Sequence, residues 1–131
     1  MSLTELEKWE LRLTELLNTV DMRLEERYGD EFPLRPNRPP AGATGNPKYD
    51  GLVALTSSFS LGISSGNGPN YVVNLRLSTF KNISQEKFDE MLLFAYSEIK
   101  EGLARTFPGK DITVVRDGDA LRIVGDLDFT S

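Results

Sequence analysis

The chain has 131 residues, with 20 acidic and 15 basic side chains, so its formal net charge is −5. It contains neither cysteine nor histidine, which removes thiolate catalysis, cysteine-ligated zinc and imidazole-dependent catalytic or metal sites. The acidic balance makes nucleic acid unlikely and disfavours anionic membrane surfaces, because both are bound mainly through Lys and Arg. We expect one domain, 1–131, without cofactor or metal. With no signal peptide or membrane-spanning apolar run, a cytoplasmic location is expected.

Residues 2–28 are predicted to form a long amphipathic helix. Ser2 and Glu5 have the spacing of a capping box, and Gly29 suits the left-handed position that follows a last helical turn. The apolar residues recur at three- and four-residue steps and form one stripe: Leu6, Trp9, Leu13, Leu16, Leu17, Val20, Leu24 and Tyr28.

The stripe of this helix has two interpretations. It can pack on a sheet of the same domain, or it can form a coiled-coil seam, which Glu10 would interrupt. Packing on the sheet is favoured because the stripe is wider than a strict seam. At about 40 Å the helix would exceed the width of the domain, so part of it could project or pair with a second copy.

Residues 30–50 are predicted to form a long loop, because the prolines after Phe32 cannot continue a helix or a central strand. Residues 32–48 hold three cations and no acid, whereas residues 1–31 hold nine acids and four bases. The segment Arg35-Pro36-Asn37-Arg38-Pro39-Pro40 could be a polyproline II ligand or an anion-binding arm. The alternative is a basic connector that lies along the acidic first helix.

Residues 51–131 are predicted to form a ββαββ core. In residues 51–63, Val53, Leu55, Phe59, Leu61 and Ile63 alternate with Ala54, Thr56, Ser58 and Ser60, as in a half-buried strand. Residues 71–80 alternate in the same way, and the segment Gly66-Asn67-Gly68-Pro69-Asn70 predicts the hairpin turn between the two strands.

The second half of this core contributes a helix and another hairpin. Ser84 is predicted to cap a helix that stops near Arg105. Asp117-Gly118 predicts the turn between two shorter strands, and Leu127 with Phe129 could extend the last strand. The order α-β-β-α-β-β predicts an α+β two-layer sandwich: a roughly four-stranded, mainly antiparallel sheet with both helices on one face.

The other face of the sheet is predicted to be polar, because short hydroxyl, amide and cationic side chains alternate with the core residues. Solvent or a partner subunit is its expected cover, since it lacks the aromatic residues of an RNA-binding sheet. Its predicted members are Thr56, Ser58, Ser60, Asn74, Arg76, Ser78 and Arg122.

The carboxylates near the C-terminus form no recognisable metal motif. Asp117, Asp119, Asp126 and Asp128 could ligate Mg²⁺ or Ca²⁺, but their spacing does not match an EF-hand loop. A hairpin turn and a solvated strand end are the favoured explanation of these acids. We therefore predict no metal ligand and no catalytic residue.

Three functions remain open, and the sequence favours a small non-catalytic protein-interaction module that binds itself as a homodimer or binds another protein. An enzyme is disfavoured but not excluded; it would use Asp117, Asp119 and Asp126 with Arg76 and Arg122, and would need carboxylates that converge in a pocket. The third function is weak anion or nucleic-acid binding through the basic loop. The predicted ligand-binding residues are Arg35, Arg38, Lys48, Arg76 and Arg122.

Overall fold

The computed structural model describes residues 3–45, 50–62, 68–79 and 81–127. Its element order, α-β-β-α-β-β, and its α+β class confirm the prediction. The elements are α1 (Glu5–Tyr28), β1 (Val53–Ser60), β2 (Asn70–Leu77), α2 (Gln85–Thr106), β3 (Ile112–Asp117) and β4 (Ala120–Gly125).

The four strands form one antiparallel sheet in the order β1-β2-β4-β3, so β1 and β3 are its edge strands. Helix α1 packs over β1, α2 packs over β3, and the two helices contact each other. Both helices therefore cover the same face. The buried side chains of this layer include Val73 on β2 and Leu121 and Ile123 on β4.

Helix α1 begins later than predicted. Its N-cap is Thr4, whose hydroxyl accepts a hydrogen bond from the amide of Glu7, while the Glu7 carboxylate accepts one from the Thr4 amide. The capping box of α1 is therefore Thr4 with Glu7, which has the same spacing as the predicted pair two residues earlier; Ser2 of that pair lies outside the described residues. The prediction for Gly29 is wrong: its φ of −56° is right-handed, and its amide closes a bond to Glu25.

The apolar stripe of α1 packs on its own sheet along most of its length, from Trp9 to Tyr28. The helix is about 36 Å long, and this burial leaves only its first turns without cover. Leu6 was predicted in the stripe but is 46% exposed. The two helices approach closely at Gly102, which is buried against Leu16, so any side chain there would collide with the leucine.

The second half of β1 departs from the prediction. Phe59 and Leu61 were assigned to the buried face, yet they are 54% and 62% exposed. The strand ends at Ser60, and Phe59 has β2 on one side only, where it contacts the ring of Tyr71 edge-on. Alternation gave the correct face, but it does not show where along an edge strand the covering layer ends: Val53 on the same strand is 0% exposed. Ile63 lies outside the described residues.

The remaining strand predictions are confirmed with shifted bounds. On β2, Tyr71, Val73 and Leu75 are buried, and its predicted last residue, Phe80, lies outside the described residues. Ser84 caps α2 as predicted, through a hydrogen bond from the amide of Lys87. Of the first turn, only Gly68-Pro69-Asn70 is described.

The last hairpin turns one residue later than predicted. Asp117 pairs with Ala120, so its two-residue loop is Gly118-Asp119. Strand β4 ends at Gly125, so Leu127 is not part of it. Phe129 lies outside the described residues.

Candidate functional site: an arginine pocket on the open sheet face

The basic loop folds into a tight turn that brings two arginines together. Pro36 takes the second position and Asn37 the third, with a positive φ of 67°. The amide of Arg38 donates to the carbonyl of Arg35 at 3.0 Å and closes the turn. Because the first and last residues of such a turn lie within about 7 Å, both arginines are neighbours. The polyproline II interpretation is therefore wrong for this segment.

Backbone hydrogen bonds fix this turn to one end of the sheet. The Arg35 amide donates to the carbonyl of Ser78 at 3.0 Å, and the Gly51 amide donates to the carbonyl of Pro39 at 2.9 Å. Gly51 has a φ of +75°, and a Cβ at this position would overlap the Glu25 carboxylate. Backbone hydrogen bonds thus hold the loop at both ends and fix the backbone that carries Arg35 and Arg38.

The sheet contributes the third arginine. Arg76 lies directly opposite Ala54 across β2 and β1, on the face away from the helices. It closes a concavity of about 400 Å³, which we call the arginine pocket. The pocket is lined by Arg35, Arg38, Ala54, Thr56, Arg76, Leu77 and Ser78. The predicted polar face and the predicted basic loop therefore meet at this one place.

The three guanidinium groups are not equivalent. Arg38 is half-buried and donates from Nε to the carbonyl of Gly51 at 3.0 Å and from Nη2 to the carbonyl of Asp50 at 2.9 Å. Arg35 and Arg76 are exposed, and within the described ranges neither side chain has a hydrogen-bond or ion-pair partner. Two strong multivalent donors are thus available to a ligand beside one that is anchored.

A cluster of carboxylates lies on the other side of Arg38. Asp21 Oδ2 accepts the amide of Leu55 at 3.1 Å, and Glu25 Oε1 accepts the amide of Val53 at 2.7 Å. The spacing of the two acids along α1 matches the spacing of the two amides along β1, because four helical residues rise about 6 Å and two strand residues about 6.6 Å. Helix α1 therefore satisfies two amides on the outer edge of β1.

Asp50, the third carboxylate of this cluster, is 3% exposed. Its Oδ2 accepts both the amide of Thr44, at 2.8 Å, and the Thr44 hydroxyl, at 2.7 Å. Burial alone would raise the pKa of Asp50, but the hydrogen bonds from Thr44 and from the amide of Gly42 outweigh it, and the pKa is lowered. Asp50 is therefore a stable anion that holds the loop.

Asp21 is only 2% exposed, and its Oδ1 has no hydrogen-bond partner within the described chain. Burial raises the pKa of Asp21 to about 7, with smaller upward contributions from Glu25 and Asp50. The Leu55 amide and the positive charge of Arg38 act in the opposite direction. Burial also raises the pKa of Glu25. Arg38 thus partly neutralises a crowded acidic cluster.

None of these three acids was among the predicted site residues. Asp21 lies between Val20 and Leu24 of the apolar stripe, and that position on the buried side of a helix was the available signal. Among the residues that the structure describes, no group of three acidic side chains is placed to hold a metal ion. Their observed contacts are structural.

The other predicted ligand-binding residues lie elsewhere. Arg122 donates to Asp117 and to the buried side chain of Asn70, so it is engaged outside the arginine pocket. Lys48 lies outside the described residues. One alternative for the basic segment was a connector that lies along the acidic first helix. Arg38 agrees with this alternative in its electrostatics, because its positive charge acts on Asp21 and Glu25 of α1.

The acids proposed for an enzyme are spread over both ends of β4. Asp117 ends β3 just before the last turn, and Asp119 lies in that turn and accepts a hydrogen bond from Gln85. Asp126 follows the opposite end of the strand, 4.0 Å from Lys110. Asp128 lies outside the described residues. The structure therefore does not bring Asp126 together with Asp117 and Asp119.

Comparison with known proteins assigns a family. A family model described as "Uncharacterised protein" matches residues 4–125, so the chain belongs to this family. A relative from Borreliella burgdorferi, described as "Uncharacterized protein", is 30% identical over 125 residues, which are 95% of this chain and 98% of the relative. No solved structure matches the chain. In the described part of the chain, no helix has the length and apolar character needed to cross a membrane.

Proposed function

We propose that this protein is a non-catalytic binding module whose arginine pocket takes up the phosphate group of a ligand. One observation carries the proposal. Arg35 and Arg76 lie in one concavity, and neither guanidinium has a partner in the described parts of a chain with a net charge of −5. In an acidic protein, two neighbouring arginines without a carboxylate between them repel each other unless an anion binds.

The chemistry of the pocket favours phosphate over a single carboxylate. A guanidinium presents its N–H groups as a planar fork that matches the oxygens of phosphate. The hydroxyls of Thr56 and Ser78 line the same pocket and can donate to further oxygens. A phosphate group has more acceptor oxygens and more charge than a carboxylate, so it can engage both arginines at once.

The fixed loop supports binding without a conformational change. Backbone hydrogen bonds to Ser78 and Gly51 hold the turn at Arg35–Arg38, and the Arg38 side chain donates to the carbonyl of Gly51. A backbone that is already fixed loses less conformational entropy when an anion binds. Arg35 and Arg76 are exposed, so we expect micromolar to millimolar affinity that falls as salt rises.

An NMR titration with inorganic phosphate tests the proposal. The backbone amides of Arg35, Arg76 and Ser78 should shift together and saturate, with acetate binding at least tenfold more weakly. Arg35→Gln and Arg76→Gln should each weaken phosphate binding about tenfold or more, because each removes a charge-assisted hydrogen bond. Arg105→Gln is the matched control, since it removes one positive charge from exposed α2 and should leave binding unchanged.

Two results would contradict the proposal. One is the absence of saturable shifts in the pocket at low ionic strength. The other is equal weakening by Arg105→Gln and Arg35→Gln, which would show a general charge effect rather than a site. Thermal unfolding of each variant verifies that the fold is intact.

A further inference from the structure

The outer edge of β1 is closed along its first half and open along its second. The amides of Val53 and Leu55 point away from β2, because they donate to Glu25 and Asp21 of α1. Successive residues of a strand point alternately to the two sides, so the amides of Ser57 and Phe59 also point outward. In the described ranges, no group on α1 or in a loop accepts from them. We call Ser57, Phe59 and Leu61 the open edge.

In the part of the chain that the structure describes, the open edge lacks the features that normally prevent strand pairing. Edge strands are usually protected by charged side chains, prolines, bulges or a covering element. Residues 51–75 contain no Asp, Glu, Lys or Arg, in a chain that is 27% charged, and β1 has no proline. The opposite edge strand, β3, ends in Arg116 and Asp117, and both are ion-paired.

We propose that a second copy of this chain pairs antiparallel with β1 at the open edge, which would make one continuous eight-stranded sheet. Three features favour a second copy over a different partner. The edge is uncharged, so two copies of an acidic protein can meet there without repulsion. Phe59 and Leu61 are exposed on both copies and can contact each other. An antiparallel edge is also self-complementary, since each outward residue offers one donor and one acceptor.

The carboxylates of α1 exclude registers that would need the amides of Val53 or Leu55. A two-fold axis at Ser57 would pair Leu55 with Phe59 of the second copy, but the Leu55 amide is already bound by Asp21. An axis at Phe59 instead pairs Phe59 with itself and Ser57 with Leu61. This register uses the open amides and leaves the bonds to Asp21 and Glu25 intact. It also places the two Phe59 rings side by side, about 5.5 Å apart at their Cα atoms.

Sedimentation equilibrium over a concentration series tests the dimer, because the interface is short and we expect micromolar dissociation. Phe59→Lys should weaken dimerisation at least a hundredfold, since it places two positive charges at the two-fold axis. Val115→Lys is the matched control: Val115 is 40% exposed on β3, at the other edge, and this variant should dimerise like the unaltered protein.

A second variant separates backbone pairing from side-chain contact. Ser57→Pro removes an amide that points away from β2, so the internal ladder keeps its hydrogen bonds, while Phe59 is unchanged. It should also abolish dimerisation, with circular dichroism and thermal unfolding close to those of the unaltered chain. A protein that stays monomeric at millimolar concentration would overturn the proposal, and so would a dimer that both Phe59→Lys and Ser57→Pro leave intact.

Discussion

The charged groups on the two sides of Arg38 are in opposite situations. On one side, Asp21, Glu25 and Asp50 are drawn into the structure and accept hydrogen bonds from Leu55, Val53 and Thr44. On the other side, Arg35 and Arg76 stand on a surface and have no such bonds in the described chain. The carboxylates hold the loop and the edge of β1, whereas the arginines hold nothing that the structure describes.

This contrast separates structural charge from charge that is available to a ligand. Removing one partner of a buried, hydrogen-bonded charge leaves the other partner uncompensated, and the fold loses stability. An exposed charge without a partner contributes little to stability. Substitutions on the acidic side should therefore change unfolding, and substitutions in the arginine pocket should change binding.

Replacing Arg38, which lies between the acidic cluster and the two exposed arginines, should have the largest effect on the free energy of unfolding. Arg38→Leu removes the hydrogen bonds to the carbonyls of Asp50 and Gly51 and leaves the acidic cluster without its cation. We expect a loss of about 4 kcal/mol in the free energy of unfolding, measured by urea denaturation at pH 7.5. Phosphate binding should be lost as well, because the turn loses its anchor.

The matched control for this prediction is Arg35→Leu, the same change at the other end of the same turn. It should alter the free energy of unfolding by no more than about 0.5 kcal/mol while still abolishing phosphate binding. Equal destabilisation by the two variants would show that Arg35 is structural too, and the contrast between the two sides would then fail.

Local patterns predicted most of the fold because they act over a few residues. Ser84 and the periodic apolar residues that follow it predict α2. Strict alternation predicts which residues of β2 are buried, and β2 lies between two neighbouring strands. Phe59 shows where such patterns fail. Its alternation is as regular as that of Val73, but a residue of an edge strand is buried only where the helix layer covers it. Val53 on the same strand is 0% exposed, and the sequence does not reveal how far along β1 this cover extends.

The site was predictable in its residue types and not in its assembly. Charge and loop position singled out Arg35 and Arg38, and strand alternation placed Arg76 on the polar face. Their meeting depends on the backbone bonds of Ser78 and Gly51, which join segments distant in sequence. The Pro36-Asn37 turn could have been predicted from its residues, since proline at the second position and asparagine at the third are typical of a type II turn.

The acidic side should show the next largest effect, as a dependence on pH. The folded pKa of Asp21 is about 7 against 3.8 for the ordinary side chain, so the folded chain keeps a proton that the unfolded chain releases between these values. The stabilisation by protonated Asp21 is therefore complete below about pH 4 and is lost as the pH rises to about 7. Asp21→Asn should be about 2–3 kcal/mol more stable than the unaltered protein at pH 8.

The advantage of Asp21→Asn should vanish near pH 4, where both side chains are neutral. Glu25 and Asp50 also titrate, so the measured quantity is the difference between the variant and the unaltered protein at each pH. Asp30→Asn, which removes an exposed acid just after α1, should show no such trend. An advantage that does not change between pH 4 and pH 8 would contradict the raised pKa of Asp21.

The smallest effect is expected from two arginines on the open face of the sheet. Arg122 is hydrogen-bonded to other side chains, and Arg76 has no such bond within the described ranges. Arg122→Gln leaves the Oδ1 of Asn70 without its donor, and Asn70 is 0% exposed, so we expect a loss of about 1–2 kcal/mol. Arg76→Gln breaks no described hydrogen bond and should change the free energy of unfolding by less than about 0.5 kcal/mol. Phosphate should stabilise the unaltered protein and Arg122→Gln equally, and Arg76→Gln by about 1.4 kcal/mol less for a tenfold loss of affinity, because a ligand stabilises only the folded state that binds it. If phosphate protects Arg76→Gln just as well, the anion binds elsewhere, and the unpartnered arginines have no part in the site.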